Sequence, residues 1–195
     1  MSLSADFWDE YYESNDTQWD VGYPTTPLKE YFDQLTDKSL RILIPGAGRA
    51  WEAEYLYNLG FKNTFILDFS VLAIAEFEKR CYDFPGNQII NCNYFEHDSE
   101  YDLIVEQTFF SSLRPSQRQE YALSTHNKLS PKGKLVGLLF NHEFPFDKPP
   151  YGGSEKEYFE LFNPLFELKI FETAYNSIMP RKGRELFLLL QKKNG

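Results

Sequence analysis

Two glycines and one carboxylate are spaced in this sequence as they would be to hold a sugar diol. The apolar run LRILIP (40–45) leads into Gly46 and Gly48, and a second apolar run, NTFILD (63–68), ends on Asp68, 22 residues after Gly46 (68 − 46). Glycine permits a positive φ and lets a ligand approach the main chain closely. A carboxylate about 20 residues after such a turn commonly accepts hydrogen bonds from ribose hydroxyls. The spacing therefore predicts a site for a cofactor that contains a nucleoside.

The residues after the turn distinguish a phosphate-containing cofactor from one without phosphate. The dinucleotide fingerprint Gly-x-Gly-x-x-Gly needs a third glycine where this sequence has Trp51, and Gly-x-Gly-x-Ala is present instead. Glu52 and Glu54 would bring negative charge to a helix start that should otherwise bind a pyrophosphate. S-adenosylmethionine, with a ribose and an adenine but no phosphate, is favoured.

Two alternative functions belong to other classes. The first is a nicotinamide-dependent oxidoreductase on a similar sheet, although none of the 13 tyrosines is followed four residues later by a lysine, as in the Tyr-x-x-x-Lys pair of short-chain dehydrogenases. The second is a non-catalytic protein that keeps a pocket for S-adenosylmethionine. Methyl transfer to a thiol, selenol, halide or tellurite would exclude the second.

The elements that position these residues follow a pattern of alternating strands and helices. From residue 40 onward, continuously apolar runs alternate with amphipathic segments, which predicts a parallel sheet covered on both faces. The last two strands, 166–175 and 185–191, have no helix between them, so they should form an antiparallel hairpin at one edge. The fold class is therefore α/β, with a doubly wound, Rossmann-like mixed sheet. Ligands bind outside the carboxyl ends of the strands in such sheets, where the glycine turn lies.

Composition limits the class of protein and its partners. A chain of 195 residues favours one domain, and a net charge of −9 disfavours nucleic acid or an anionic membrane surface as a partner. The two cysteines and three histidines lack the spacing of metal ligands, so no metal site is expected. The first residues, MSLSADFWDE, do not resemble a signal peptide, and no apolar run is long enough to span a bilayer. A cytoplasmic location is the expectation.

Six segments in order resemble the thiopurine S-methyltransferase family, which includes plant thiocyanate and halide methyltransferases. They are FWDEYYESNDTQWDVGYPTTPL, ILIPGAGRAWEAEYL, FILDFS, YDLIVEQTFFSSL, the strand after SPKGKL, and KPPYGG, and together they extend the resemblance from about residue 7 to residue 192. The N-terminal tryptophan segment is the most specific part. The resemblance implies one methyltransferase domain over 1–195, with an N-terminal helical lid at 1–36 and a Rossmann-like core at 40–195. It also implies seven strands in the order 3-2-1-4-5-7-6, with the last strand antiparallel.

The resemblance further implies the cofactor, the acceptor and a set of binding residues. S-adenosylmethionine would be the cofactor, S-adenosylhomocysteine the product, and a small soft nucleophile (a thiol, thiocyanate, halide or metalloid anion) the acceptor, in a monomer or weak homodimer. The cofactor contacts are expected at Trp8, Tyr12 and Trp19 of the lid, Gly46, Ala47 and Gly48 of the turn, Asp68 and Phe69 after the second strand, Asn93 and Tyr94 beside the adenine, and Gln107 after the fourth strand. Three positions depart from the family pattern: Ala50 stands for a glycine, Asn93 for an aspartate and Gln107 for a tyrosine.

Methyl transfer from a sulfonium needs no protein nucleophile, so the expected roles are alignment and exclusion of water. Trp8 and Tyr12 lie four residues apart on one helical face, where their rings could attract the sulfonium. Glu106, at the end of the fourth strand, is expected either to pair with the cofactor's ammonium group or to cap the following turn. Tyr151 either reaches the acceptor or belongs to a rigid loop. His142 is the best candidate for a general base, although an anionic acceptor needs none.

Overall fold

The computed structural model describes residues 4–194 and contains one seven-stranded mixed sheet in the order β3-β2-β1-β4-β5-β7-β6. β1 to β5 are parallel, while β7 is antiparallel to both β5 and β6. The predicted fold class, strand order and edge hairpin are therefore confirmed. The strands are β1 (Ile42–Pro45), β2 (Thr64–Asp68), β3 (Ile89–Asn91), β4 (Tyr101–Gln107), β5 (Leu129–Phe140), β6 (Phe166–Thr173) and β7 (Glu185–Lys192).

Seven α-helices and three 3₁₀ turns connect or precede the strands. The helices are α1 (Ala5–Glu13), α2 (Thr26–Asp33), α3 (Trp51–Asn58), α4 (Val71–Arg80), α5 (Phe109–Ser112), α6 (Arg118–Lys128) and α7 (Glu155–Phe162). Serine side chains accept hydrogen bonds from the first turns of α1, α4 and α7, which satisfies amide groups that have no partner within the helix. Within the described residues 4–194, no helix is both long enough and apolar enough to cross a membrane.

The core lies on both faces of the sheet. Successive strand residues point to opposite faces, and Leu43 packs with α6 and α7 whereas Ile42 and Ile44 pack with α2, α3 and α4. All three side chains are buried, as expected for a parallel sheet that is covered on both sides. Both faces are therefore closed, and the open surface for a ligand is at the strand ends.

The N-terminal residues divide between the core and the strand ends. Leu28 and Phe32 of α2 are fully buried against the sheet, so α2 belongs to the core rather than to the lid expected at 1–36. α1 packs against α4, and the loop after it passes the beginning of α3. We use the name lid segment for residues 4–25.

Candidate functional site

A cavity of about 620 Å³ opens at the carboxyl ends of the parallel strands, in the size range of small-molecule sites. It is lined by residues of the lid segment, by the turn after β1, which we call the floor, and by residues between 140 and 150. Twelve of the fourteen site residues predicted from the sequence line it: Trp8, Tyr12, Trp19, Gly46, Ala47, Gly48, Asp68, Phe69, Asn93, Tyr94, Gln107 and His142. Glu106 and Tyr151 do not.

The glycine turn is tight for reasons within the protein. Gly46 and Gly48 both have φ of +54°. A Cβ on Gly46 would overlap the ring of Phe109, and a Cβ on Gly48 would lie 2.9 Å from the hydroxyl oxygen of Tyr12. Ala50 also adopts the left-handed conformation, with φ of 53°, which is where the family carries a glycine by resemblance. The main chain of the turn therefore lines the cavity without side chains at Gly46 and Gly48, and Phe109 and Tyr12 pack against it.

Asp68 is buried at the end of β2 with hydrogen-bonding capacity left over. It is 7 % exposed; Oδ2 accepts a hydrogen bond from the Gly48 N–H at 2.8 Å and Oδ1 accepts one from the Ser70 N–H at 2.9 Å. Burial raises the pKa of Asp68, and backbone hydrogen bonds from Gly48, Ser70 and Phe69 oppose that shift. A carboxylate has about four lone-pair sites, so Asp68 keeps capacity to accept from a ligand hydroxyl. The residues present therefore fit a ribose.

Aromatic rings of the lid segment line the cavity and form what we call the aromatic wall. Trp19 lies edge-on to Trp8, with ring centroids 5.4 Å apart, and contacts Tyr11 at 5.5 Å and Tyr12 at 6.1 Å. Burial, followed by the charge of Asp68, raises the pKa of the Tyr12 hydroxyl, which keeps it neutral. Desolvated aromatic faces of this kind attract a cation such as a sulfonium by about 0.5–2 kcal/mol each.

The lid segment is fastened to the floor by a network that the sequence interpretation missed. The Arg49 guanidinium donates from Nη1 to Asp20 Oδ2 at 2.6 Å and to Thr17 Oγ1 at 2.8 Å, and from Nε to Glu76 Oε2 at 2.5 Å. The Trp51 indole N–H donates to Asp20 Oδ1 at 2.8 Å. Arg49 and Trp51 flank Ala50, so the same stretch of chain forms the turn and anchors the lid segment. Arg49, a charged residue that directly follows the two glycines of the turn, was a feature of the sequence that could have indicated this network.

The end of β4 carries strain and an unsatisfied polar group. Thr108 has φ of 65°, an outlier for a β-branched residue of the kind that is concentrated at functional sites. The preceding Gln107 accepts a hydrogen bond on Oε1 from Thr25 Oγ1 at 3.0 Å. Its Nε2 is buried with no partner among the described residues. Thr25 thus orients the Gln107 amide and leaves a donor unused beside the cavity.

Glu106 is turned away from the cavity, which corrects one of its two expected roles. It is fully buried; Oε1 accepts from the Phe110 N–H and Oε2 from the Tyr121 hydroxyl, both at 2.8 Å. Burial raises its pKa to about 7. The carboxyl caps the turn into α5, so the second of the two alternatives describes it.

The two candidate catalytic residues are also placed differently from expectation. His142 lines the cavity, but its Nε2 accepts a hydrogen bond from Arg184 Nη2 at 2.7 Å, and burial together with the Arg184 charge lowers its pKa. A ring nitrogen occupied by a guanidinium cannot take a proton, so His142 is not placed to act as a base. Tyr151 is buried outside the cavity, where its N–H donates to the Ser111 carbonyl at 2.7 Å.

Glu52 and Arg181 are cavity residues that the sequence did not single out as a site. Glu52 lies in the first turn of α3, is 7 % exposed, and has a pKa raised to about 7 by burial. Arg181, in the 3₁₀ turn Met179–Arg181 between β6 and β7, donates from Nη2 to the Trp19 carbonyl at 2.7 Å and from Nη1 to Glu185 Oε1 at 3.4 Å. Arg181 therefore joins the far edge of the cavity to the lid segment.

No metal centre is indicated by the geometry. Within residues 4–194, no three His, Cys, Asp or Glu side chains are grouped as metal ligands. The chemistry available at the cavity is therefore recognition of a sugar by Asp68, cation binding by rings and carboxylates, and anion binding by arginines.

Comparison with known proteins gives consistent results. The model of the thiopurine S-methyltransferase family matches residues 3–189. A probable thiol methyltransferase 2 of Arabidopsis thaliana is 28 % identical over 193 residues, which is 93 % of this chain and 83 % of the relative. Thiocyanate methyltransferase 1 of the same plant is 26 % identical over 91 % of this chain and 81 % of its own length.

A solved structure agrees in fold. The 1,6-didemethyltoxoflavin-N1-methyltransferase of Burkholderia thailandensis, determined with 1,6-didemethyltoxoflavin and S-adenosylhomocysteine, superposes with a TM-score of 0.78. It covers 97 % of this chain and 87 % of its own, at 18 % identity. At that identity the match speaks for the fold alone.

Proposed function

The chain belongs to the thiopurine S-methyltransferase family, and we propose that it transfers the methyl group of S-adenosylmethionine to a thiol, thiocyanate, halide or metalloid anion. It is an S-adenosylmethionine-dependent methyltransferase of a small nucleophile, as the family establishes. The names of two plant relatives specify thiols and thiocyanate and support those two acceptors. Halide and metalloid anions are proposed from the resemblance of the sequence to the family. Membership of this family also sets aside the oxidoreductase alternative.

The placement of Asp68 is the observation that carries the proposal. Its carboxylate is held by the amides of Gly48 and Ser70, lines the cavity, and keeps capacity to accept further hydrogen bonds. We assign the ribose diol to Asp68, the close main-chain contact to the turn at 46–48, and the adenine to the pocket beside Phe69 and Asn93. The bound cofactor would supply an electrophilic methyl group on a positively charged sulfur.

The residues of this chain then have three tasks. The rings of Trp8, Tyr12 and Trp19 exclude water and provide apolar faces toward the positive charge. The turn and Asp68 hold the cofactor in one position, which converts methyl transfer into a reaction between aligned partners. The Gln107 amide, oriented by Thr25, offers an N–H donor at the end of β4.

An anionic acceptor is favoured by the local charge. Lys148 and Arg184 line the cavity, and within residues 4–194 neither forms a salt bridge, whereas the lining carboxylate of Asp20 is paired with Arg49. An unpaired cation attracts anions to its surroundings. Because His142 is occupied by Arg184, an acceptor that arrives already deprotonated matches this site better than one that needs a base.

Two measurements test the proposal together. S-adenosylhomocysteine should raise the melting temperature, whereas NAD⁺ and NADP⁺ should not; stabilisation by a nicotinamide dinucleotide alone would overturn the cofactor. Methyl transfer from S-adenosylmethionine should then be detected by mass spectrometry for at least one of an aryl thiol, a selenol, thiocyanate, iodide and tellurite. Cofactor binding without transfer to any of them would favour the non-catalytic alternative. The cytoplasmic location and the monomer or weak homodimer stay predictions.

A further inference from the structure

We infer that Glu52 binds the α-ammonium group of the cofactor's amino-acid portion. The inference rests on the proposed cofactor and deepens it by naming the residue that recognises one particular group. Glu52 is 7 % exposed and lines the cavity. Within residues 4–194, no other residue donates a hydrogen bond to its carboxylate, and only its own backbone N–H does so. A buried carboxylate without a cationic partner is costly, so Glu52 gains either from protonation or from a positive charge that a ligand brings.

The other acidic groups near the cavity are already committed. Asp20 accepts hydrogen bonds from Arg49, from the Trp51 indole and from the Gly22 N–H. Asp68 is held by two backbone amides and has the geometry for a diol. The remaining expected partner of the ammonium group, Glu106, is turned into the core. Glu52 is the buried cavity carboxylate that retains its capacity to accept from a cation.

The charged groups near Glu52 do not include a cation that is paired with it alone. Asp20 of the lid segment adds negative charge beside it, and Arg181 of the turn before β7 adds positive charge. The Arg181 guanidinium is shared with the Glu185 carboxylate at 3.4 Å and the Trp19 carbonyl at 2.7 Å, so it does not neutralise Glu52 by itself. The cofactor has two cationic groups. The sulfonium has no N–H to donate and matches aromatic faces, whereas an ammonium group has three donors and matches a carboxylate.

The sheet order places Glu52 on the correct side of the turn. Asp68 ends β2, which neighbours β1 on one side, while β4, β5 and β7 follow on the other. The charge of Arg181, in the turn between β6 and β7, acts on Glu52. A cofactor whose ribose lies at Asp68 and whose chain crosses the turn therefore directs its amino-acid end toward Glu52.

Calorimetric titration of two ligands into matched variants tests the assignment. The ligands are S-adenosylhomocysteine and its desamino analogue, which keeps the carboxylate and lacks the amine. We expect Glu52→Gln to bind S-adenosylhomocysteine about 10- to 100-fold more weakly than the wild type, the range for a hydrogen bond to a charged group. The desamino analogue should bind the two proteins within about twofold, since the contact is absent in both. Glu52→Asp, which keeps the charge on a shorter side chain, should recover part of the affinity.

Glu54→Gln is the matched control, because Glu54 lies in the same turn of α3 but pairs with Arg80 Nε at 2.6 Å outside the cavity. An equal loss for both ligands in Glu52→Gln would show a structural role and overturn the inference, as would no loss at all. If the wild type does not bind S-adenosylhomocysteine, the proposed cofactor fails as well. The wild-type titration thus separates the two failures.

Proton release gives a second readout that does not depend on turnover. Burial raises the pKa of free Glu52 to about 7, and a bound cation would keep the carboxylate ionised. Binding should therefore release a proton at about pH 6.5, and affinity for S-adenosylhomocysteine should rise from about pH 6 to about pH 8. Asp20 and Arg181, which face Glu52 from the lid segment and the β6–β7 turn, are still present in Glu52→Gln. If the pH dependence persisted in that variant, the released proton would not come from Glu52.

Discussion

Replacing Asp68 by alanine should lower both cofactor affinity and the stability of the fold, because its carboxylate contributes to both. The two losses can be measured separately. In the free protein it accepts hydrogen bonds from the N–H groups of Gly48 at 2.8 Å and Ser70 at 2.9 Å. In the proposed complex its remaining lone pairs accept from the two ribose hydroxyls. Alanine removes all four interactions, and its small size lets water enter from the cavity side.

The expected loss of affinity follows from a hydrogen bond to a charged group, about 1.5–3 kcal/mol, which corresponds to about 10- to 150-fold in Kd. The loss of stability has a different origin. Two amides lose their acceptor, at about 1–3 kcal/mol each if they stay dry. Because Gly48 lines the cavity, water can reach its amide, whereas Ser70 is buried. The cost should therefore be close to that of one buried amide, about 1–3 kcal/mol in the free energy of unfolding.

Calorimetry with S-adenosylhomocysteine and urea unfolding of the free protein measure the two effects independently. A ligand with a 2′-deoxyribose provides the internal control: it should bind the wild type more weakly, and Asp68→Ala should cost it less affinity than it costs the parent ligand. The reasoning is refuted if Asp68→Ala binds S-adenosylhomocysteine within about twofold of the wild type, or if both ligands lose the same affinity. In either case the sugar hydroxyls would not lie at this carboxylate.

Three further changes address the lid segment, the turn and the buried acid. Arg49→Ala should speed dissociation of S-adenosylhomocysteine about 10-fold or more, since the lid segment loses the hydrogen bonds from Arg49 to Asn15, Thr17 and Asp20. Stopped-flow tryptophan fluorescence would show this, and an unchanged rate would mean that the lid segment does not control release. Gly46→Ala should lower the free energy of unfolding, measured in urea, by more than about 1 kcal/mol, because a Cβ there overlaps the Phe109 ring and φ is +54°. Adding Phe109→Ala to the same chain should remove the overlap and restore part of the stability lost through Gly46→Ala. Burial raises the pKa of Glu106 from 4.5 to about 7, so its contribution to the free energy of unfolding is greatest below about pH 4.5. Up to about 3 kcal/mol of that contribution is lost as the pH rises through 7. Glu106→Gln should flatten this part of the plot of stability against pH, and a plot identical to that of the wild type would contradict the assigned role of Glu106.

The fold could be predicted because its signal is carried by long apolar runs. The strands β1, β2 and β4 contain uninterrupted apolar runs, at 42–45, 65–67 and 103–105, as expected for a sheet that is covered on both faces. The missing helix before the last strand was enough to predict the antiparallel hairpin. The boundary of the lid segment was harder, because α2 has the same amphipathic pattern whether it covers the core or the cavity, and the burial of Leu28 and Phe32 decides it.

The alternation of strand side chains limits what the sequence reveals about the site. Glu106 and Gln107 are adjacent at the end of β4, and one faces the core while the other lines the cavity. In a strand buried on both faces, apolar neighbours do not reveal which of two polar residues points to the cavity. The hydrogen bond between His142 and Arg184 could not be predicted for another reason: Arg184 is 42 residues away in the chain and meets His142 through the pairing of β5 with β7.

The five residues 48–52 connect the proposed cofactor site to the lid segment. The main chain at Gly48 supports Asp68, and the next side chain, Arg49, holds Asp20 and Thr17 of the lid segment. Trp51 donates to Asp20, and Glu52 lines the cavity. Because these groups share one short stretch of chain, with φ of 54° at Gly48 and 53° at Ala50, we expect a displacement at the proposed cofactor site to move the anchors of the lid segment as well. We therefore propose that a bound cofactor and the contacts of the lid segment stabilise each other.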